Sequence, residues 1–308
     1  MTTKELCMQW LENQKTRVKI RTRNRYEELL LHHIVPSLGD REIHTVTRKD
    51  VRMFLQENTH AQSEAKRSCA TMNMCLTVLR NAFSYAVDWE LISENPCLGI
   101  KRLSYEEKKV KAFTKDEQRR LEKRIFECGD RRLFGVVICL YTGLRIGELL
   151  ALTWDCVDLR RGTIAICKTV YRAKDESGTW HVITDRPKTE NSERIIPIPP
   201  FLKQMFSAHK NGAVGRYVIE NTDGSPISTR SYQYIYSRLT ESAKVPPYNF
   251  HVLRHTFATR AIECSMDIKT LSELLGHKSA VITLNRYAHS MLETKILMMK
   301  KLKSVYLA

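Results

Sequence analysis

The 308-residue chain carries 50 Lys and Arg against 34 Asp and Glu, a formal net charge of +16, so the expected partner is a polyanion. Nucleic acid leads and an anionic membrane surface comes second. The best apolar run, "LFGVVICLYTGL", is too short to span a bilayer and no apolar signal segment opens the chain; with nine scattered Cys and no CxxC pair, this reads as a soluble cytoplasmic protein with reduced core thiols.

At this length two domains are expected. The first 90 or so residues read as four helices, near Thr3 to Thr16, Thr22 to Ile34, Arg48 to Gln56 and Ser63 to Trp89. The last shows apolar recurrence through Met72, Leu76, Leu79, Phe83 and Val87 at helical spacing. "SENPC" stops it, because Pro96 disfavours helix at Asn95. The charged, aperiodic "KRLSYEEKKVKAF" then makes a linker around residues 99–112.

The second region opens on a capping signal, Thr114 with Glu117 three residues on, and continues through helices to about Leu152. Alternating and β-branched residues follow in "GTIAICKTVYR", "TWHVIT" and "RIIPIP", joined by the turns "AKDESG" and "DRPKTENSE". Helices resume near Thr229 and run to the C-terminus. The expected fold is therefore mainly α with one small antiparallel β-sheet inserted. Most of the excess charge lies late in the chain: residues 1–104 hold 16 basic and 12 acidic side chains, the remainder 34 and 22.

Four stretches could carry chemistry. In "HVLRHTFATR", His251 and Arg254 are three apart on a helix and share a face, so both can reach one small anion while Leu253 turns to the core. The planar fork of Arg suits a phosphate through two parallel charge-assisted bonds. In "YTGLRIGELLAL", Gly143 breaks one helix and Arg145 stands near the start of the next, with Glu148 placed to hold its guanidinium. In "RPKTENSERIIPIP", Lys188 sits on a turn between two strands; in "LLGHKSAVITLNRYAH", His277 follows a helix-ending Gly276 and Tyr287 comes ten residues later. Taken singly, each has an ordinary alternative: a polar helix face, a solvated ion pair, a surface lysine, a histidine complementing a helix dipole.

Taken together and in this order, Arg145, Lys188, His251-x-x-Arg254, His277 and Tyr287 resemble the tyrosine recombinase (phage integrase) family over about residues 112–290. The segment "RTRNRYEELLLHHIVPSLGDREIHTVTRKDVRMFLQE" looks like the helical, SAM-like core-binding domain of phage and conjugative-element integrases. The resemblance implies a two-domain architecture: a helical core-binding domain at 1–98, a linker at 99–112, and a mixed α/β catalytic domain with a C-terminal tail at 113–308. Many such integrases carry a further small N-terminal domain for accessory arm sites; this sequence starts almost directly at the core-binding helices, which leaves arm-site binding open.

The family's roles map onto Tyr287 as nucleophile, Arg145 and Arg254 as clamps on the phosphate oxygens, Lys188 as general acid, His251 as general base and His277 as a phosphate ligand, with Glu148 in support. The resemblance implies no metal and no cofactor. Consistently, the sequence has no GxxxxGK[ST] loop and no acidic cluster suited to two metal ions. Implied partners are double-stranded DNA, three further copies of the chain in a synaptic tetramer, and accessory DNA-bending or directionality factors, with no membrane. Arg21, Arg23, Arg25, Lys66 and Arg67 are candidate DNA contacts of the first domain, or an ordinary solvated basic face. The apolar stripe Leu292, Ile296, Met299 and Leu302 packs on its own domain or docks on a neighbouring protomer.

An integrase or excisionase of a mobile element is the leading reading, with "IVPSLGD" tipping toward that type. A Xer-type chromosome or plasmid resolvase shares the chemistry. A type IB topoisomerase also does, but gives no recombinants. From a different class comes a DNA-binding regulator that has lost catalysis, against which the intact six-residue set argues.

Overall fold

The computed structural model describes residues 1–59, 67–105, 110–175, 177–185, 193–287 and 299, with the side chains of 285–287 excepted. The chain forms two compact units, Met1–Lys108 with Ala173–His181, and Lys109–Arg172 with Val182–Ala308.

In the first unit, α1 (Thr3–Asn13) starts from a capping box in which the Thr2 hydroxyl accepts from the Glu5 N–H and the Glu5 carboxylate accepts from the Thr2 N–H. Its Leu6, Cys7, Trp10 and Leu11 are buried. α2 (Ile20–Leu29) runs through a π-helical turn (Leu30–Ile34) into α3 (Val35–Leu38). This helical path is longer than the sequence pattern predicts. Pro36 does not break it and stands directly after the π-helical turn, at the start of α3. α4 (Arg48–Glu57) follows from a second capping box, Thr47 with Asp50.

The central helix is α5 (Cys69–Asp88), with Met72, Cys75, Leu76, Leu79, Ala82 and Phe83 buried along one face. Ser63, where the periodicity puts its start, lies outside the described residues; the described helix is capped by Ser68, whose hydroxyl accepts from the Thr71 N–H. Beyond it Asn95 is buried and fully used. Its amide donates to the Arg80 carbonyl and the Ser84 hydroxyl, both at 2.9 Å, and its oxygen accepts from the Cys97 N–H at 2.8 Å. These bonds seat Cys97 and Ile100 in the core, and Asn73 holds the backbone of Leu103 from both sides.

The second unit opens with α6 (Lys115–Cys128), whose Thr114/Glu117 capping box forms as the sequence predicts. After a 3₁₀ turn (Arg131–Leu133), α7 (Phe134–Thr142) is buried almost all round, which explains its continuous apolar run. Among the described residues no helix is long and apolar enough to cross a membrane. α8 (Ile146–Leu150) and a second 3₁₀ turn (Trp154–Cys156) lead into β1 (Val157–Asp158) and β2 (Thr163–Ile166).

The expected single sheet is two. β1, β2 and β5 (Arg194–Pro197) form an antiparallel sheet in the order β1-β2-β5, with Val157 opposite Ile164 and Ile164 opposite Ile196. β3 (Thr169–Lys174) and β4 (Trp180–Asp185) form a separate two-stranded sheet. The stretch read as one strand in "GTIAICKTVYR" breaks at Cys167-Lys168 because its halves pair with different partners. α9 (Pro200–Lys210) has no counterpart in the sequence reading. It starts directly after the alternating stretch "RIIPIP", with Pro200 in the first helical turn, where its fixed φ is helical. α10 (Thr229–Ser242), α11 (His251–Glu263), α12 (Ile268–Leu275) and α13 (Ala280–Tyr287) complete the unit, with α11 packed on α7.

Asn95→Ala removes three hydrogen bonds and leaves the Cys97 N–H without its acceptor, so it is expected to lower stability by ~1–3 kcal/mol. Asn81→Ala, on the exposed side of α5, should stay within ~0.5 kcal/mol of wild type. Urea unfolding of the full chain compares the two, and equal midpoints would contradict the role assigned to Asn95.

Candidate active site

The site is built on the end of α12. Gly276 takes the left-handed conformation, φ +61°, and closes the helix: its N–H donates to the Glu273 carbonyl and the His277 N–H to the Ser272 carbonyl. The carbonyls of Leu274, Leu275 and Gly276 then have no helical N–H to accept from, and they sit at the negative end of the helix dipole.

Each of the three accepts from a different arginine. Arg194 Nε reaches Leu274 O at 2.7 Å, Arg254 Nη2 reaches Leu275 O at 2.5 Å, and Arg145 Nη2 reaches Gly276 O at 3.2 Å. Arg254 is held at a second point, Nη1 donating at 2.9 Å to the carbonyl of Gly143, which ends α7 at φ +68°. Two glycine-terminated helices thus fix one guanidinium in place. Arg254 is 2% exposed and Leu253 is fully buried, whereas His251, one turn earlier, is exposed. Of the two residues expected to share a helix face, the arginine is sunk into the protein and the histidine is exposed one turn earlier.

Glu148 joins the arginines. It is 4% exposed and accepts from Arg145 Nη1 at 2.7 Å, from the Arg145 N–H at 3.0 Å, and from Arg194 Nη1 and Nη2 at 3.2 and 2.9 Å. The Arg145/Glu148 pair is thus no solvated i, i+3 bridge. Burial by itself would raise the Glu148 carboxyl; the hydrogen bonds and charge of Arg194, with the charge of Arg145, outweigh it and hold the group at about 2.

Arg194 escaped the sequence reading, although a signal was present. It begins a strand in which Ile196, two residues on, is buried, so Arg194 shares the inward face and its charge needs a buried partner.

His277 follows directly. Its Nδ1 lies 2.7 Å from the hydroxyl of Thr283, which is fully buried on α13 one turn before Tyr287. The backbone of Tyr287 closes that helix; its side chain and all of Lys188 lie outside the described residues. The flanks of the Lys188 segment are β4, ending at Asp185, and β5, beginning at Arg194. His251 begins α11, its N–H donating to Asn249 Oδ1 at 3.1 Å, and its ring meets the edge of the His255 ring at 4.7 Å between centroids. His255 was also not singled out from sequence.

Of the candidate DNA contacts in the first unit, Arg21 and Arg67 are exposed and Arg23 and Arg25 are half-buried. Arg25 is engaged by Glu28 at 2.7 Å, and Lys66 lies outside the described residues.

Comparison with known proteins gives a consistent picture. Residues 111–293 match the phage integrase family and residues 2–58 match the N-terminal SAM-like domain of phage integrases. A tyrosine recombinase XerC-like protein of Caldanaerobacter subterraneus subsp. tengcongensis is 32% identical, the match covering 72% of this chain and 63% of that protein, so less than two thirds of that relative's length is spanned. The transposase from transposon Tn916 of Enterococcus faecalis is 25% identical over 96% of this chain and 77% of its own. Among solved structures, the Tn1549 transposon integrase in complex with a circular intermediate DNA superposes with a TM-score of 0.81 at 24% identity, covering 98% of this chain and all of that one. A lambda integrase tetramer bound to a Holliday junction gives 0.69 at 19% identity, over 91% and 78%. At these identities the superpositions establish the fold.

Because the Glu148 carboxyl titrates below its ordinary value near 4.5, its stabilisation is complete above that pH and is lost as the pH falls toward 2. Glu148→Gln is expected to lose on the order of 3 kcal/mol at pH 7, the scale for breaking a buried ion pair, and to remove that acid-dependent component. Urea midpoints of both proteins at pH 7 and pH 3 measure it: the gap should narrow at pH 3, and a constant gap would sink the assignment.

Proposed function

Since the chain belongs to the phage integrase family, the tyrosine recombinases, we propose that it is a site-specific DNA recombinase, an integrase or excisionase of a mobile element. It cuts and rejoins strands through a covalent phosphotyrosyl intermediate. The observation that carries this reading is the convergence of Arg145 and Arg254 on neighbouring backbone carbonyls immediately before His277.

Tyr287 attacks the phosphorus of one strand, its phenolic oxygen forming a bond to phosphorus as the bond to the 5′-oxygen breaks. The product is a 3′-phosphotyrosyl linkage and a free 5′-hydroxyl. Tyrosine ordinarily titrates at about 10, so the attack at neutral pH needs a base, and His251 at the exposed start of α11 takes that part. Lys188 returns a proton to the leaving 5′-oxygen. Arg145 and Arg254 meet the two non-bridging oxygens as charge gathers on them, and His277, with Thr283 against its Nδ1, donates to the same phosphate. Arg194 and Glu148 touch no substrate in this scheme. They position Arg145, and their burial keeps the guanidinium from having to reorganise during the reaction.

The linkage conserves the phosphodiester bond, so a 5′-hydroxyl from a second duplex reverses the chemistry and reseals the strand. The +16 charge suits a clamp on double-stranded DNA whose affinity falls steeply with salt, with Arg21, Arg23, Arg25, Lys66 and Arg67 contacting phosphates from the first unit. Four copies acting on two sites form the synaptic complex, a stoichiometry supported by the lambda integrase tetramer. The reaction takes place in the cytoplasm, where accessory DNA-bending or directionality factors set its course. Coverage supports a mobile-element role: the Tn916 transposase aligns with 96% of this chain at 25% identity, and the XerC-like protein with 72% at 32%.

End-labelled DNA from the flanks of the gene, incubated with protein in EDTA and denatured in SDS, tests the mechanism. The native protein should give an SDS-resistant adduct, Tyr287→Phe none, and Lys188→Ala at least ~100-fold less, the lower end for loss of a general acid. Retarded DNA in a native gel with no adduct, even on nicked substrates, would leave a DNA-binding regulator as the better description.

A further inference from the structure

Two cysteines that play no part in the proposed chemistry meet in the second unit. Cys156 ends the 3₁₀ turn before β1 and Cys167 follows the last residue of β2. The β1–β2 register pairs Val157 with Ile164, so Cys156 and Cys167 approach diagonally across adjacent segments, with their sulfurs 3.5 Å apart. The Thr153 hydroxyl lies 3.6 Å from Cys156 Sγ. Both thiols are half-buried and so remain within reach of a small reagent.

Partial burial, with the neighbouring Cys156 thiol, raises the Cys167 thiol above its ordinary value, and what sets this pair apart is contact and access. Cys7, Cys75 and Cys97 are buried in the core of the first unit, where loss of solvent pushes each thiol up to about 12, and Cys139 is sealed inside α7.

We infer that Cys156 and Cys167 form an oxidation site, a vicinal dithiol that a two-electron oxidant such as hydrogen peroxide closes to an intrachain disulfide, restraining the strand that supports Arg145. One thiolate attacks a peroxide oxygen, breaking the O–O bond and giving a sulfenic acid and water. The second sulfur displaces the sulfenic oxygen as a second water. Two thiols and one peroxide thus give one disulfide and two waters, with the sulfurs oxidised and the peroxide reduced. The sulfurs need to close by roughly 1.5 Å to reach a bonded separation of about 2.05 Å, a displacement shared between two side chains.

The position gives the bond a consequence. Cys167-Lys168 is the joint at which the chain leaves the three-stranded sheet and enters β3. The first residues of β3 press on α8: a Cβ added at Gly147 would lie 2.5 Å from Val170 O and 2.6 Å from Thr169 Oγ1. Gly147 stands between Arg145 and Glu148. A covalent tie across the joint therefore restrains the strand on which the α8 end of the site is seated.

The test treats the reduced full-length protein with hydrogen peroxide without DNA, blocks remaining thiols, and maps peptides under non-reducing conditions. Native protein should yield one cross-linked species joining Cys156 to Cys167, reversed by dithiothreitol and absent from Cys156→Ser and Cys167→Ser. Oxidation confined to the exposed Cys128 and Cys264, with this pair left reduced, would overturn the site. The second readout rests on the recombinase reading: oxidised native protein should form the covalent DNA adduct several-fold more slowly, with both serine variants indifferent to peroxide. A mapped disulfide with an unchanged rate would overturn the link to Arg145. A reduced protein that never forms the adduct would count against the recombinase reading and leave the dithiol result standing.

Discussion

Three consecutive carbonyl oxygens at the end of α12, each accepting from a separate arginine, are the constraint on which the second unit is organised. A helix terminus leaves such oxygens with no intrahelical partner, and the aligned peptide dipoles make that end negative. Three guanidinium groups brought together elsewhere would repel one another. Here the helix end and the Glu148 carboxylate supply the compensating charge from within the protein. β5 delivers Arg194, the start of α8 delivers Arg145, α11 delivers Arg254, and the left-handed turn at Gly276 arranges the oxygens that receive them.

This arrangement separates holding from reacting. Glu148 is almost wholly removed from solvent and spends its four contacts on Arg145 and Arg194. Arg254 is fixed by two carbonyls from two different helices. Such a cluster is preorganised: its dipoles and charges are already aligned, which is what the proposed chemistry asks of groups that meet developing charge.

Much of this could be read from sequence where a local rule governs. The Thr114/Glu117 box, the helix ends at Gly143 and Gly276 and the buried stripe of α5 each follow from interactions between residues a few positions apart. The boxes around Arg145, Arg254 and His277 were legible because their order is shared with a known family. What escaped is non-local. Arg194 acquires its meaning from Glu148, 46 residues earlier, and the break between β2 and β3 depends on which distant strands each half pairs with. α9 has no counterpart in the sequence pattern either, although Pro200 at its first turn is a residue that suits a helix start. The burial of Arg254 was also invisible, since helical spacing gives the side chain's face and not the depth of what packs over it.

The arginines at the end of α12 recognise main-chain oxygens, and that has a consequence for how the protein can vary. The groups they grip belong to the peptide bond and are identical whatever amino acid occupies positions 274 and 275, so neighbouring side chains are free to answer only to packing. Drift in the leucines leaves the anchoring oxygens chemically unaltered, and a scan that swaps side chains one by one passes over half of each contact. Only an edit to the chain path, through Gly276, or replacement of an amide by an ester, changes what the arginines hold.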